Sequence, residues 1–179
     1  MDKTNYQLSK KELRVNKPTR KEFPLLSKHP IVCILDNLSN AHNVGVIIRP
    51  CEAFRLKKIY IVGSTPTLMS RKTKLSSRGT EKWIEIEYYS SILDLLCELK
   101  IQKYSIIGIE LTTNSQKYNQ AIYKFPVAFI LGNEKNGISN DVLAVCDSSV
   151  HIEMFGMGNS LNVSTAASIV IADAVEKIV

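Results

Sequence analysis

The chain has 179 residues, of which 45% are hydrophobic and 22% charged, with 23 Lys and Arg against 17 Asp and Glu. That length and apolar fraction suit one compact α/β domain and exclude wholesale disorder. The net charge of +6 favours an anionic partner, nucleic acid ahead of membrane.

Residues 1–29 are polar and proline-punctuated, which predicts a basic arm rather than a domain. With no apolar stretch, they predict no signal peptide. Residues 31–35 read as a short buried strand. Residues 43–54 have helical apolar spacing, with a kink or restart expected at Pro50. A second strand follows at 58–62, then a loop over 63–82, and a half-exposed third strand at 83–89. Residues 90–99 open with serines and read as an amphipathic helix. Strands are expected at 104–111 and 127–131, a short helix at 139–145, and a sixth strand near 150–154. A final helix is expected over 160–178. Alternating strands and helices with β-branched strand cores predict an α/β fold, with a mostly parallel sheet and helices on both faces. Residues 30–179 form that one domain.

The positive charge is unevenly placed. Residues 1–29 carry eight basic side chains against three acidic ones, and residues 55–82 carry eight against Glu81 alone. The two segments hold +5 and +7, which leaves −6 for the rest. One reading is a solvated face plus a basic tail. The other is a phosphate-contacting surface built from the arm and the 63–82 loop.

Cys33, Cys51, Cys97 and Cys146 lie far apart and form no CxxC pair, so buried reduced thiols in a cytoplasmic protein are expected. No His, Cys, Asp or Glu spacing suggests a metal. The uncharged run 154–172 reaches membrane-span length, but Asn159, Ser160, Asn162, Ser164, Thr165 and Ser168 would be costly in lipid. It is not read as a membrane span.

Ligands of open α/β sheets bind at the carboxyl ends of the strands. After the first predicted strand comes the polar turn 36–45, which lacks the G-x-G-x-x-G of a dinucleotide site. Glycines appear instead in 131–139 and 155–162, each after a strand and before a helix. Such glycines let backbone approach a ligand closely, or they simply make tight turns capped by Ser139 and Ser160. His42 and His151 have no nucleophile partner in a recognisable motif, which disfavours hydrolase chemistry. Arg49 stands in an otherwise apolar helix segment, where a charge needs a partner such as Glu52 or a role in a site.

These segments resemble the three motifs of the SPOUT superfamily, in its SpoU/TrmH branch of RNA 2′-O-ribose methyltransferases. Asn43, Gly45 and Arg49 match the first motif. Leu131, Gly132, Glu134 and Gly137 match the second. Ile152 and Met154, with Gly158 shifted in spacing around Phe155–Gly156, and then the run from Ser160 through Leu161, Asn162 and Val163 to Ser164, match the third. The resemblance spans residues 30–178. It implies a C-terminal trefoil knot, a homodimer completing the site across its interface, and S-adenosylmethionine as methyl donor. It also implies that Arg49 acts on the ribose hydroxyl with a substrate phosphate, and that Asn43, Glu134, Ser160 and Asn162 shape the site. Leu111, Gly132, Ile152 and Leu161 would contact the donor. Three residues depart from the family pattern: Glu153 where Pro is usual, Arg55 where Gly is usual, and Pro50 where Thr is common.

The expected activity is methyl transfer to a ribose 2′-OH. The expected substrate is tRNA ahead of rRNA, since the chain is compact and a separate N-terminal RNA-binding domain is not expected. The arm and the 70–82 segment would then grip the RNA. A competing reading is a non-catalytic RNA-binding or ribosome-assembly protein with the same fold. A nucleotide enzyme is a weaker third, because the Lys-Ser/Thr pair of a phosphate loop is missing.

Overall fold

The computed structural model describes residues 6–15 and 17–178. Lys3 of the basic arm and Val179, the last residue of the 30–179 domain, lie outside the described residues. Among these, seven strands make one sheet: β1 (His29–Asp36), β2 (Leu56–Val62), β3 (Glu85–Tyr89), β4 (Ser105–Ile109), β5 (Gln116–Lys117), β6 (Val127–Leu131) and β7 (Ser148–His151). Their spatial order is β3-β2-β1-β6-β4-β7-β5, and every pairing is parallel. All strand C-termini therefore open on one edge.

Alternate side chains of the central strands feed two apolar layers. Ile31, Cys33, Leu35 and Phe129 pack with α1 (Ala41–Ala53) and α5 (Val163–Glu176) on one face. Val32, Ile34, Ala128 and Ile130 pack with α3 (Ile92–Ile101) and α4 (Asn140–Val145) on the other. Strands covered on both faces must be apolar throughout, and β6 is buried at all five positions.

Several expectations are corrected. Helix α1 does not restart at Pro50 but runs on to Ala53. Residues 63–82 are not all loop: Ser70 accepts the Thr73 N–H and caps α2 (Arg71–Ser77). Strand β5 has two residues and no apolar signature. Strand β7 begins at Ser148, earlier than expected, because its first residues lie beside Ile107 and Gly108 of β4. Helix α5 begins after Asn162, not at Ser160, because it is the Asn162 side chain that accepts the Ser164 N–H. Of the cysteines, Cys33 and Cys51 are buried but Cys97 is exposed, on the outer side of α3.

Two backbone positions explain local sequence. Helix α2 presses against α1 at Gly45, where a Cβ would fall 2.0 Å from the Ser76 hydroxyl and 2.4 Å from the Thr73 carbonyl. No other residue fits that crossing without moving one helix. Beyond the end of α1, Arg55 adopts a left-handed φ of 50°. This conformation favours glycine at helix C-termini, so the usual Gly there has a steric reason. The arm is tied down at its end, where Phe23 meets the Trp83 ring edge-on at 5.9 Å and Arg20 lies 6.0 Å from it.

Phe129 sits at the centre of the sheet, fully buried, with the Tyr123 ring edge-on at 5.2 Å. Phe129→Ala should lower stability by about 3–5 kcal/mol, read as a shift of the urea midpoint.

Candidate active site

Four turns leave the C-terminal edge of the sheet side by side, after β1, β6, β4 and β7. The first and second are joined by a carboxylate. Glu134 Oε2 accepts hydrogen bonds from the Ser39 N–H and hydroxyl, both at 2.8 Å. Its Oε1 accepts the Asn40 N–H at 3.1 Å and the Asn43 side-chain amide at 2.9 Å. Asn43, buried at the start of α1, turns its Oδ1 to the Asn162 amide at 3.2 Å. Asn162 in turn accepts the Ser164 N–H and hydroxyl at 2.8 and 2.7 Å, capping α5. Residues more than 90 positions apart thus form one hydrogen-bonded line.

The Glu134 carboxyl reflects this. Partial burial acts to raise its pKa, but the donors from Ser39 and Asn43 outweigh that and pull it down to about 2. A carboxylate this acidic is a poor proton acceptor near neutral pH, so Glu134 is suited to holding neighbours rather than to base catalysis.

The second turn depends on a close glycine pair. Gly132 backs onto Gly137, where a Cβ would lie 2.4 Å from backbone carbon, and Asn133 and Gly137 exchange both backbone hydrogen bonds. Asn133 also donates to the Asn37 carbonyl at 2.8 Å, a second tie between the β1 and β6 turns. Glu110 accepts the Ile138 and Leu111 N–H groups at 3.2 and 3.1 Å and fixes the β4 turn. Ser39, Asn40, Glu110 and Asn133 were not singled out from sequence. Asn133 alone carried a signal there, as an Asx-type residue in a glycine-rich turn.

The turns after β6, β4 and β7 enclose a cavity of about 500 Å³. Leu111, Gly132, Ile152 and Leu161 line it, and so do Glu134, Ser160 and Asn162. Asn43 lies behind that wall, reaching the cavity only through Glu134 and Asn162. Arg49 is not in the lining. It is exposed, and among the described residues it forms no ion pair with Glu52 or any other acid. Six residues along α1 from Asn43 put it about 9 Å further down the axis and roughly 120° round from Asn43. Its charge faces water and needs no buried partner. Gly156 and Gly158 face open space, with no protein atom within 4 Å of where a Cβ would stand. Among the described residues no His, Cys, Asp or Glu group is arranged to hold a metal, and no helix is long and apolar enough to cross a membrane.

A model of the SpoU rRNA Methylase family matches residues 30–172. The chain belongs to this family. It is 29% identical over 147 residues to the tRNA (guanosine(18)-2′-O)-methyltransferase of Aquifex aeolicus, covering 80% of this chain and 68% of that one. The Escherichia coli enzyme of the same name is 30% identical over 143 residues, 80% of this chain and 61% of the relative. The chain therefore spans about two thirds of the length of these curated relatives. The crystal structure of the A. aeolicus TrmH/SpoU tRNA modifying enzyme matches with a TM-score of 0.76 at 27% identity, over 84% of this chain and 76% of that one. AviRb from Streptomyces viridochromogenes, solved in complex with AdoMet, shares the fold with a TM-score of 0.78 at 21% identity, over 89% of this chain and 64% of that one.

Within the SpoU family the three departures now have physical readings. Glu153 does not enter the cavity, because its carboxylate pairs with Lys117 on the edge strand β5. Arg55 takes the left-handed conformation that a glycine would take with less strain. Pro50 leaves α1 continuous.

The depressed Glu134 pKa has a signed consequence. Its contribution to stability is fully present above the ordinary carboxylate range and is lost as pH falls through about 2. Carboxyl-resolved NMR titration should find Glu134 with a midpoint near 2. Amide exchange of Ser39 and Asn40 should accelerate as it protonates.

Proposed function

We propose that this chain is an RNA 2′-O-ribose methyltransferase that uses S-adenosylmethionine and acts on tRNA. The observation that carries the reading is the line Glu134–Asn43–Asn162, which joins all three family motifs at the wall of one cavity. The cavity suits such a donor. Its volume of about 500 Å³ falls in the range of small-molecule sites, and its walls mix exposed turn backbone with Leu111, Ile152 and Leu161. When bound, the donor would supply a methyl group on a positively charged sulfur.

In this reading Leu111, Gly132, Ile152 and Leu161 hold the donor. Ser160 and Asn162 place the ribose, while Glu134 and Asn43 keep them in position. Arg49 binds a substrate phosphate and orients the 2′-OH, a role suited to a permanently charged guanidinium. Since Arg49 is off the cavity of its own protomer, the reading includes a homodimer in which a second copy brings it to the site. A cytoplasmic location, a knotted C-terminus, and a division into an arm (1–29) and a methyltransferase domain (30–179) belong to the same reading. The two curated relatives named above bear tRNA 2′-O-methyltransferase names, which supports tRNA over rRNA.

Incubation with methyl-labelled S-adenosylmethionine and bulk tRNA should yield 2′-O-methylated nucleosides after digestion. Donor binding without transfer to tRNA or rRNA would overturn the proposal. Arg49→Ala should lower transfer by about 100-fold or more while donor affinity by calorimetry stays within about twofold.

A further inference from the structure

We infer that α2 is the element that grips the phosphate backbone of the RNA, with Arg71, Lys72, Lys74 and Arg78 as its contacts. The inference rests on the methyltransferase reading and assigns the substrate-binding surface within it.

Helix α2 has two faces of different character. Thr73, Ser76 and Ser77 are buried, and the crossing at Gly45 sets them against α1. Arg71, Lys74 and Arg78, at spacings of three and four, form an exposed stripe, with Lys72 exposed beside it. Lys82 continues the positive charge just beyond. The only acid nearby in sequence, Glu81, is engaged by the Ser77 hydroxyl at 2.6 Å. Among the described residues none of these five cations is in an ion pair.

A structural role does not explain Arg71 and Lys72. Cations in the first turn of a helix oppose its dipole, and α2 has Arg71 and Lys72 there with no acid to offset them. Four like charges on a short helix also repel one another. A polyanion relieves both costs, since each phosphate contact neutralises a cation and releases a bound counterion.

Position supports the assignment. Gly45 and Arg49 are one turn apart on the same face of α1. Gly45 is the seat of α2, so the cationic stripe is docked beside the helix turn that presents Arg49. A strand held along α2 would reach Arg49 next. The glycine at 45 thereby acquires a purpose beyond packing, because any side chain there would push the gripping helix away from Arg49.

The test uses the full chain and its variant R71Q/K72Q/K74Q/R78Q, with circular dichroism to verify folding and calorimetry to verify donor binding. Affinity for fluorescently labelled tRNA is measured by anisotropy between roughly 50 and 200 mM salt, the range over which phosphate contacts change affinity most visibly. The variant should bind at least about tenfold more weakly at the low-salt end, with a log–log salt slope shallower by about 3. The charge-keeping variant K72R/K74R should retain wild-type affinity and slope. Unchanged affinity and slope in the glutamine variant would overturn the α2 assignment, and methyl transfer by the wild-type chain would show that the enzymatic reading stands without it. Wild-type protein that neither binds RNA nor methylates it would overturn both.

Discussion

The site depends on a carboxylate that can only accept hydrogen bonds. Because Glu134 offers no donor when ionised, Asn43 must turn its amide nitrogen towards it. That leaves the Asn43 oxygen facing Asn162, which must present its own nitrogen. The Asn162 oxygen is then directed at the open N–H groups of α5, where it caps the helix. One negative charge at the end of β6 therefore fixes the direction of two amides and the entry of the last helix. The low Glu134 pKa is the electrostatic counterpart of this arrangement, since four donors converge on it. An acid spent in this way serves as an anchor for the turns and amides around it.

Glycine sets the second constraint, and it does so chiefly by what it allows protein to do to protein. At Gly132 the close neighbour is the Gly137 backbone, and at Gly45 it is α2. Both are motif positions, and at both a Cβ would fall on backbone atoms that cannot swing aside. The ligand-approach argument is the usual reason offered for glycines in such turns. Here backbone packing is sufficient to require them, whereas Gly156 and Gly158, in the open loop after β7, have no such neighbours.

Much of the fold was legible because its signals are local. Continuous apolar runs marked the buried strands, and serines marked the starts of α3 and α4. Helix α2 escaped because its packed face is Thr73, Ser76 and Ser77, hydroxyl residues that fit against a glycine and leave no apolar period. Its cap Ser70 and the following Gly79 were the only marks available. Strand β5 escaped because two residues carry no pattern. The motif residues were legible as a set through resemblance, and the turns do bring ten of them to one cavity. What resemblance could not give was direction. Asn43 and Arg49 share a motif, yet six residues of helix separate them onto different faces, one in the wall behind the cavity and one in solvent.

Charge divides the molecule along the same line. The cavity is lined by Glu110 and Glu134 against Lys135, so its walls lean negative. Such walls favour a small ligand carrying positive charge and disfavour a polyanion. The five cations of the 71–82 segment lie outside the cavity, on α2 and the turn after it. A cationic donor and an anionic nucleic acid can therefore be drawn to different surfaces of one small domain. In the proposed dimer a single ribose would pass from the basic surface of one copy into the acidic cavity of the other, a passage that the exposed Arg49 beside α2 would serve.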